Sequence, residues 1–215
     1  MRSSKTYLDG NGRAAQPLAV GLTTGTIEHT STIAAFVLAA VCTAWVAVAL
    51  MHPTSLAGED RPMWVAVHIA QLIFAPIVAV GILGLLNGVQ GPTAALARGA
   101  AVLWAAWFSA YDAVAGIATG ILIGGDAREA GEYLFAHSLI EGLGWAALGM
   151  WLLTVIPAGL ALRGSKPLVT SVALYISALV FTHAGPPAAV GFAALALAMW
   201  TGWTTGDHSA PGRSR

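Results

Sequence analysis

Six long apolar stretches dominate the chain, and they leave it few ways to fold other than as a bundle of membrane-spanning helices. A spanning helix needs about 20 mostly apolar residues, because the hydrocarbon core of a bilayer is about 30 Å thick. Charged residues make up only 9% of the chain, whereas about 25% is usual in a soluble domain. We therefore predict an all-α polytopic membrane protein with six transmembrane helices. The predicted spans are 31–51, 63–86, 96–123, 134–162, 168–183 and 187–203.

The last three predicted spans are less regular than the first three. The stretch 134–162 is longer than a bilayer requires, so it must tilt or extend beyond the hydrocarbon core. The stretches 168–183 and 187–203 are short, and the Gly-Pro-Pro sequence at 185–187 fits a tight turn between two helices. A re-entrant pair of helices is the alternative for these two. The flanking segments 1–30 and 204–215 are predicted to lie outside the membrane and to be wholly or partly disordered.

The distribution of lysine and arginine predicts the orientation of the chain. With six spans both termini lie on one side of the membrane, and cytoplasmic loops carry an excess of positive charge. Eight cationic residues fall on the side of the termini and two on the other. We expect a cell inner membrane protein with both termini cytoplasmic and the lipid bilayer as its main partner. The net charge is zero and there is no basic stripe, which argues against nucleic acid binding.

Asp112 is the most informative single residue, because it interrupts the third apolar stretch near its middle. A charged side chain at that depth costs at least about 2.5–3.5 kcal/mol, so it is expected to face the protein interior and to have a partner. A rise of about 1.5 Å per residue places several other polar side chains between the midplane and the outer surface. These are His68, Gln71, His137, Glu141 and His183. We expect helices two, three and four to bring such groups to one interior site.

Two carboxyl groups in unlike surroundings can serve as an acid and a base. Asp112, the deeper of the two, is the expected proton donor, and Glu141, nearer to water, is the expected base. Spacing by three or four residues puts His68 with Gln71, and His137 with Glu141 and Trp145, on common helix faces. The predicted ligand-binding residues are His68, Gln71, His137, Tyr111 and Trp145. The expected ligand is a small, lipid-like or isoprenoid molecule, and the sequence does not establish that it is converted.

Two alternatives remain open at this point. The side chains of His68, His137 and His183, with Asp112 or Glu141, are of the right type for a metal ion or a haem. However, the sequence contains no HxxxH, HExxH or CxxC pattern, and no particular cofactor is indicated. The second alternative is a membrane subunit, alone or in an oligomer, whose polar groups only fix helix packing. Transport through this chain alone is disfavoured, because the inner half of the spans lacks a polar path.

Overall fold

The computed structural model describes residues 24–53, 60–140, 142–182 and 184–205, and all regular elements in these ranges are helices. The first three are α1 (Thr24–Met51), α2 (Arg61–Leu85) and α3 (Pro92–Tyr111). A π-helix (Asp112–Ala118) and α4 (Thr119–Gly124) continue α3 without a break. The remaining helices are α5 (Arg128–Ile140), α6 (Leu143–Leu162), α7 (Leu168–Ile176), a 3-10 helix (Ser177–Thr182) and α8 (Gly185–Thr204). The prediction of an all-helical protein is confirmed for the described residues.

Five of these helical segments are long and apolar enough to cross a membrane. They are Thr32–Met51, Arg61–Leu85, Pro92–Gly124, Leu143–Leu162 and Gly185–Thr204. The segment Leu168–Val180 is apolar but shorter. The structure therefore gives a helical membrane protein with five candidate spans, one fewer than the sequence predicts. Helix α1 begins at Thr24 rather than at 31, and residues 1–23 and 206–215 lie outside the described ranges.

The predicted fourth span, 134–162, is two helices rather than one. Helix α5 ends at Ile140 and α6 begins at Leu143, and between them Gly142 has a φ of +154°. This is a backbone conformation that residues with a Cβ rarely adopt. Helix α5 packs against α4 and the π-helix, whereas α6 packs along α3. The stretch 134–162 is longer than one membrane crossing requires. Because it breaks at Gly142, its two helices can pack along the whole length of the third span.

The predicted fifth span, 168–183, changes helix type at Ser177. The Ser177 hydroxyl donates to the Leu174 carbonyl at 2.6 Å, and the Trp151 indole donates to the Ser177 carbonyl at 2.9 Å. A 3-10 helix rises about 2.0 Å per residue, compared with about 1.5 Å for an α-helix. The short segment therefore extends further than its length suggests. It runs beside α8, where a Cβ on Gly191 would lie 2.6 Å from the Val180 amide nitrogen.

The bundle has two ends, which we name by the residues found there. The His52 end carries His52, Arg61, Gly124 and Arg128. The Arg163 end carries the chain reversals at Leu86–Pro92 and Arg163–Pro167 together with the end of α8. At the Arg163 end the Arg98 guanidinium donates to the carbonyls of Leu86 and Val89, and the Lys166 ammonium donates to the Thr205 carbonyl at 3.2 Å.

A cluster of buried aromatic rings fills the middle of the bundle. Trp45 of α1 stacks on Phe192 of α8 with ring centroids 4.4 Å apart, and it also meets Phe74, Trp104 and Phe108 edge-on or tilted. Trp104 in turn packs on Trp151 of α6 at 4.5 Å. Such rings bury a large area and prefer offset or edge-to-face contacts. The cluster ties five helices together on the Arg163 side of Asp112.

Candidate functional site

A ladder of glycines fixes the register between α2 and the third span. Each glycine is so close to α2 that an added Cβ would overlap a side chain. The contact pairs are Gly124 with Arg61, Gly120 with Val65 and Gly116 with His68. In these pairs the residue numbers increase along α2 while they decrease along the third span, so the two helices are antiparallel. One further step of four residues puts Asp112 level with Gln71 and Leu72.

The third span changes from an α-helix to a π-helix at Asp112. The wider turn alters the pattern of backbone hydrogen bonds, and two side chains bond to carbonyls in this region. The Trp64 indole donates to the Gly116 carbonyl at 3.0 Å, and the Thr119 hydroxyl donates to the Val114 carbonyl at 3.0 Å. Single π-helical turns within α-helices occur frequently at functional sites. Here the widened turns begin at the residue that the sequence singles out.

The Asp112 carboxyl group is completely buried and without a bonding partner in the described part of the chain. Its solvent exposure is 0%, and neither of its oxygens accepts or donates a hydrogen bond there. Burying an isolated ionised carboxylate costs so much free energy that the group neutralises instead. A carboxyl group in such surroundings is therefore expected to be neutral, and a neutral carboxyl group can donate a hydrogen bond.

His68 lies one turn of α2 nearer the His52 end than Leu72, and it is 1% exposed. Its Nδ1 lies 2.7 Å from the Trp64 carbonyl, and because a carbonyl only accepts, Nδ1 carries the hydrogen. In the neutral ring the other nitrogen, Nε2, is then a hydrogen-bond acceptor. The imidazole rests on the bare backbone of Gly116, since a Cβ there would lie 2.1 Å from its Cγ. The tautomer and position of the ring are thus both fixed by its surroundings.

His52 belongs to the same cluster, although it is not among the site residues predicted from the sequence. Its ring centroid is 5.0 Å from that of His68 and 5.0 Å from that of Trp64. Phe135 of α5 contacts Trp64 from another side, at 5.8 Å. Because α1 ends at Met51, the next residue, His52, lies beside the first two turns of α2. We call His52, Trp64, His68, Gln71 and Asp112 the Asp112 centre.

Acidification is expected to destabilise the protein through His52. Burial lowers the pKa of His52 from its usual value of 6.5, although its hydrogen bond to the Pro53 carbonyl at 2.8 Å opposes this effect. A pKa that is lower in the folded than in the unfolded state means that stability is fully present above pH 6.5 and declines as pH falls below it. His52→Gln removes this titrating group.

Melting temperatures of the two proteins between pH 8 and pH 5 check this expectation. At pH 8 the variant should melt below the wild type, because it loses the ring contacts with Trp64 and His68. The difference should shrink toward pH 5, because protonation of this histidine in the unfolded state lowers the stability of the wild type but not that of the variant. A difference that stays constant over this range would show that the pKa of His52 is the same in the folded and unfolded states.

The remaining predicted site residues differ in how deeply they are buried. Gln71 and Tyr111 are buried, at 0% and 5% exposure. His137 is half-buried on α5, where its ring stacks on Tyr133 at 3.7 Å and its Nδ1 donates to the Tyr133 carbonyl at 2.9 Å. Trp145 is 67% exposed on α6. The predicted stripe from His137 to Trp145 is not formed, because the chain breaks at Gly142.

Glu141 and His183 lie outside the described residues, so the structure does not place the second predicted carboxyl or the third predicted metal ligand. Within the described ranges, no group of three or more histidine, cysteine, aspartate or glutamate side chains is arranged to hold a metal ion. His68 and His52 form a pair of nitrogen-bearing rings, which is fewer ligands than the three or four of a typical zinc site.

The aromatic cluster bounds the Asp112 centre on the side of the Arg163 end. Phe108 lies one turn before Asp112, Phe74 lies one turn after Gln71, and both pack on Trp45. The polar groups of these rings are the indole N–H groups of the tryptophans, and none of them is ionisable at neutral pH. The arrangement can therefore offer a hydrogen bond from Asp112 in a largely apolar setting.

The sequence matches no protein-family model, and comparisons with curated proteins and with solved structures likewise find no match.

Proposed function

We propose that this protein crosses the cell inner membrane six times with both termini in the cytoplasm, and that the Asp112 centre binds a small or lipid-like molecule from the outer side. The path of the chain supports six crossings, because α7 and its 3-10 extension run antiparallel to α8 over most of its length. The excess of cationic residues at the Arg163 end and in the terminal segments supports the orientation. Eight residues belong to this group: Arg2, Lys5, Arg13, Arg98, Arg163, Lys166, Arg213 and Arg215.

The observation on which binding rests is that the Asp112 carboxyl group has no hydrogen-bond partner among the described residues. A buried polar group without a hydrogen bond costs about 1–3 kcal/mol in proteins, and a purely structural acid would be expected to recover this through a nearby backbone or side chain. A ligand that carries an acceptor, such as a carbonyl or hydroxyl oxygen, would supply the missing bond. The apolar surroundings favour a ligand whose remaining surface is hydrocarbon.

Acid/base conversion of the ligand is the second half of the proposal. Asp112 would pass its proton to an oxygen or an unsaturated carbon of the ligand and become a carboxylate. A base would remove a proton from another atom of the ligand, so that the net charge of the pair is unchanged. Glu141 is the candidate for this base. A group that only positions the ligand would instead leave it chemically unchanged.

Three variants test binding and conversion separately. Asp112→Leu removes both hydrogen-bonding capacity and the proton, whereas Asp112→Asn keeps a hydrogen-bond donor but cannot act as an acid. The matched control is Thr154→Val on α6, a buried residue whose hydroxyl donates to the Met150 carbonyl of its own helix at 2.7 Å. Each protein is purified from its native membrane in a mild detergent, and the molecules that accompany it are extracted and identified by mass spectrometry.

We expect one amphiphilic compound to accompany the wild type, Asp112→Asn and Thr154→Val, and to be reduced at least about tenfold in Asp112→Leu. If Asp112 is also an acid, Asp112→Asn retains the unconverted compound. After exhaustive detergent washing, Asp112→Leu should melt above the wild type, because the unpartnered acid has been removed. Equal retention of all compounds by Asp112→Leu, with a lower melting temperature, would overturn the proposal in favour of a structural role. Stoichiometric metal in the wild type that is lost in Asp112→Leu would overturn it in favour of the metal alternative.

A further inference from the structure

An open cleft at the His52 end has a cation at its rim and apolar walls below. It lies between the first turns of α2 and the end of the third span, and it is lined by Arg61, Pro62, Val65, Gly120, Ile121 and Gly124. Arg61 is the first residue of the candidate span Arg61–Leu85. The guanidinium is therefore placed at the depth where lipid headgroups meet the hydrocarbon core.

The Arg61 side chain packs closely against the end of the third span. Its guanidinium lies against Gly124, where an added Cβ would come within 2.5 Å of Nε and 2.6 Å of Cζ. No carboxylate in the described ranges lies within ion-pair distance of it. Arg128, the other described cation at this end, differs in this respect, because its Nε is 2.8 Å from a Glu132 carboxylate oxygen.

The walls below Arg61 suit an acyl chain. Ile121 is 61% exposed, Val65 lies beside Gly120, and the two glycines keep the floor of the cleft free of side chains. An arginine above a strip of exposed apolar surface is the pattern of a phosphodiester site on a membrane protein, because the guanidinium can form two parallel hydrogen bonds to phosphate oxygens.

The charges around the cleft distinguish between types of phospholipid. Asp60 adjoins Arg61 in sequence, and Asp126 follows the turn that closes the cleft at Gly124 and Gly125. Both are exposed. An anionic headgroup would bring a second negative charge close to these carboxylates, whereas a zwitterionic headgroup would place an ammonium group near them.

We propose that this cleft binds phosphatidylethanolamine, with the phosphodiester on Arg61, the ammonium group toward Asp126, and an acyl chain along Val65 and Ile121. This site is separate from the Asp112 centre. Gly124 is three turns of helix from Asp112, so the two sites can be tested independently.

Native mass spectrometry of the full-length protein in detergent provides the test, with equimolar phosphatidylethanolamine, phosphatidylglycerol and phosphatidylcholine added after delipidation. We expect one phosphatidylethanolamine molecule to remain bound to the wild type at activation energies that remove the other lipids. Arg61→Gln should reduce this adduct about tenfold, whereas Arg128→Gln should retain it. Asp126→Asn should abolish the preference over phosphatidylglycerol while leaving phosphate binding intact.

Ile121→Trp provides a second test. The Ile121 side chain is already largely exposed, so the larger ring should not disturb the fold. It should reduce phosphatidylethanolamine binding, because it occupies the lower part of the cleft. Retention of phosphatidylethanolamine by both Arg61→Gln and Ile121→Trp at the wild-type level would overturn the proposal. Stronger retention of phosphatidylglycerol than of phosphatidylethanolamine by the wild type would also overturn it. Loss of binding in Arg128→Gln equal to that in Arg61→Gln would show general charge attraction rather than this site.

Discussion

Gly116→Val is expected to lower the melting temperature of the protein by about 6–12 °C. A Cβ at this position would lie 2.1 Å from Cγ, 2.2 Å from Cδ2 and 2.5 Å from Cβ of His68. The Cβ of His68 is fixed to the backbone of α2, so a change of rotamer cannot relieve the overlap and the two helices must separate. Overpacking of this kind costs about 3 kcal/mol at the upper end of its usual range, and each kcal/mol corresponds to roughly 2–4 °C in a chain of this size.

Cys42 provides the measurement, because it is the sole cysteine in the sequence and is completely buried. A dye that fluoresces on reacting with a thiol reports unfolding as Cys42 becomes accessible. Gly99→Ala is the matched control, since Gly99 is also helical and nothing lies within 4 Å of an added Cβ. It should be neutral or stabilise the protein by up to about 1 kcal/mol. Equal melting temperatures for Gly116→Val and the wild type would mean that α2 and the π-helix are not in contact at this level.

The positions of the helices could largely be predicted from the sequence, because lipid leaves the backbone no other way to satisfy its polar groups than to form regular structure. The predicted ranges 63–86 and 187–203 agree closely with Arg61–Leu85 and Gly185–Thr204. Hydropathy measures only how apolar a stretch is, so it could not show that 134–162 breaks at Gly142. It also could not show that the stretch 168–183 changes to a 3-10 helix at Ser177, where a carbonyl is held by the distant Trp151.

The features of the candidate site that depend on the cost of exposing polar side chains to lipid could be predicted from the sequence. The features that depend on how the helices pack against one another could not. The burial of Asp112, His68 and Gln71 follows from the cost of exposing them to lipid. The place of His52 does not, because it depends on the height at which α1 stops relative to α2. The π-helix also has no signal of its own in the sequence. The π-helix begins at Asp112, close to the point where Trp64 and His68 of α2 pack against Gly116. Contacts between two helices of this kind cannot be read from the sequence of either helix.

Trp45→Ala is expected to be the most damaging single truncation in the described core. The Trp45 side chain is completely buried, and its ring packs against four other aromatic rings on three further helices. Replacing a buried tryptophan by alanine costs about 3–5 kcal/mol, because transfer energy is lost and a cavity remains. At roughly 2–4 °C per kcal/mol, the same thiol assay should show a fall of at least about 6 °C, or no folded protein.

Trp145→Ala is the matched control, because it makes the same chemical change at a position that is 67% exposed on α6. Its cost should stay within about 0.5 kcal/mol, as for most surface substitutions. Trp45→Phe, which keeps an aromatic ring against Phe192, should fall between the two and yield folded protein if Trp45→Ala does not. The comparison also separates two roles for tryptophan in this chain. If Trp145→Ala were as damaging as Trp45→Ala, Trp145 would have to be buried by a partner or a second copy of the chain, and the exposed face of α6 would be an interface rather than a lipid-facing surface.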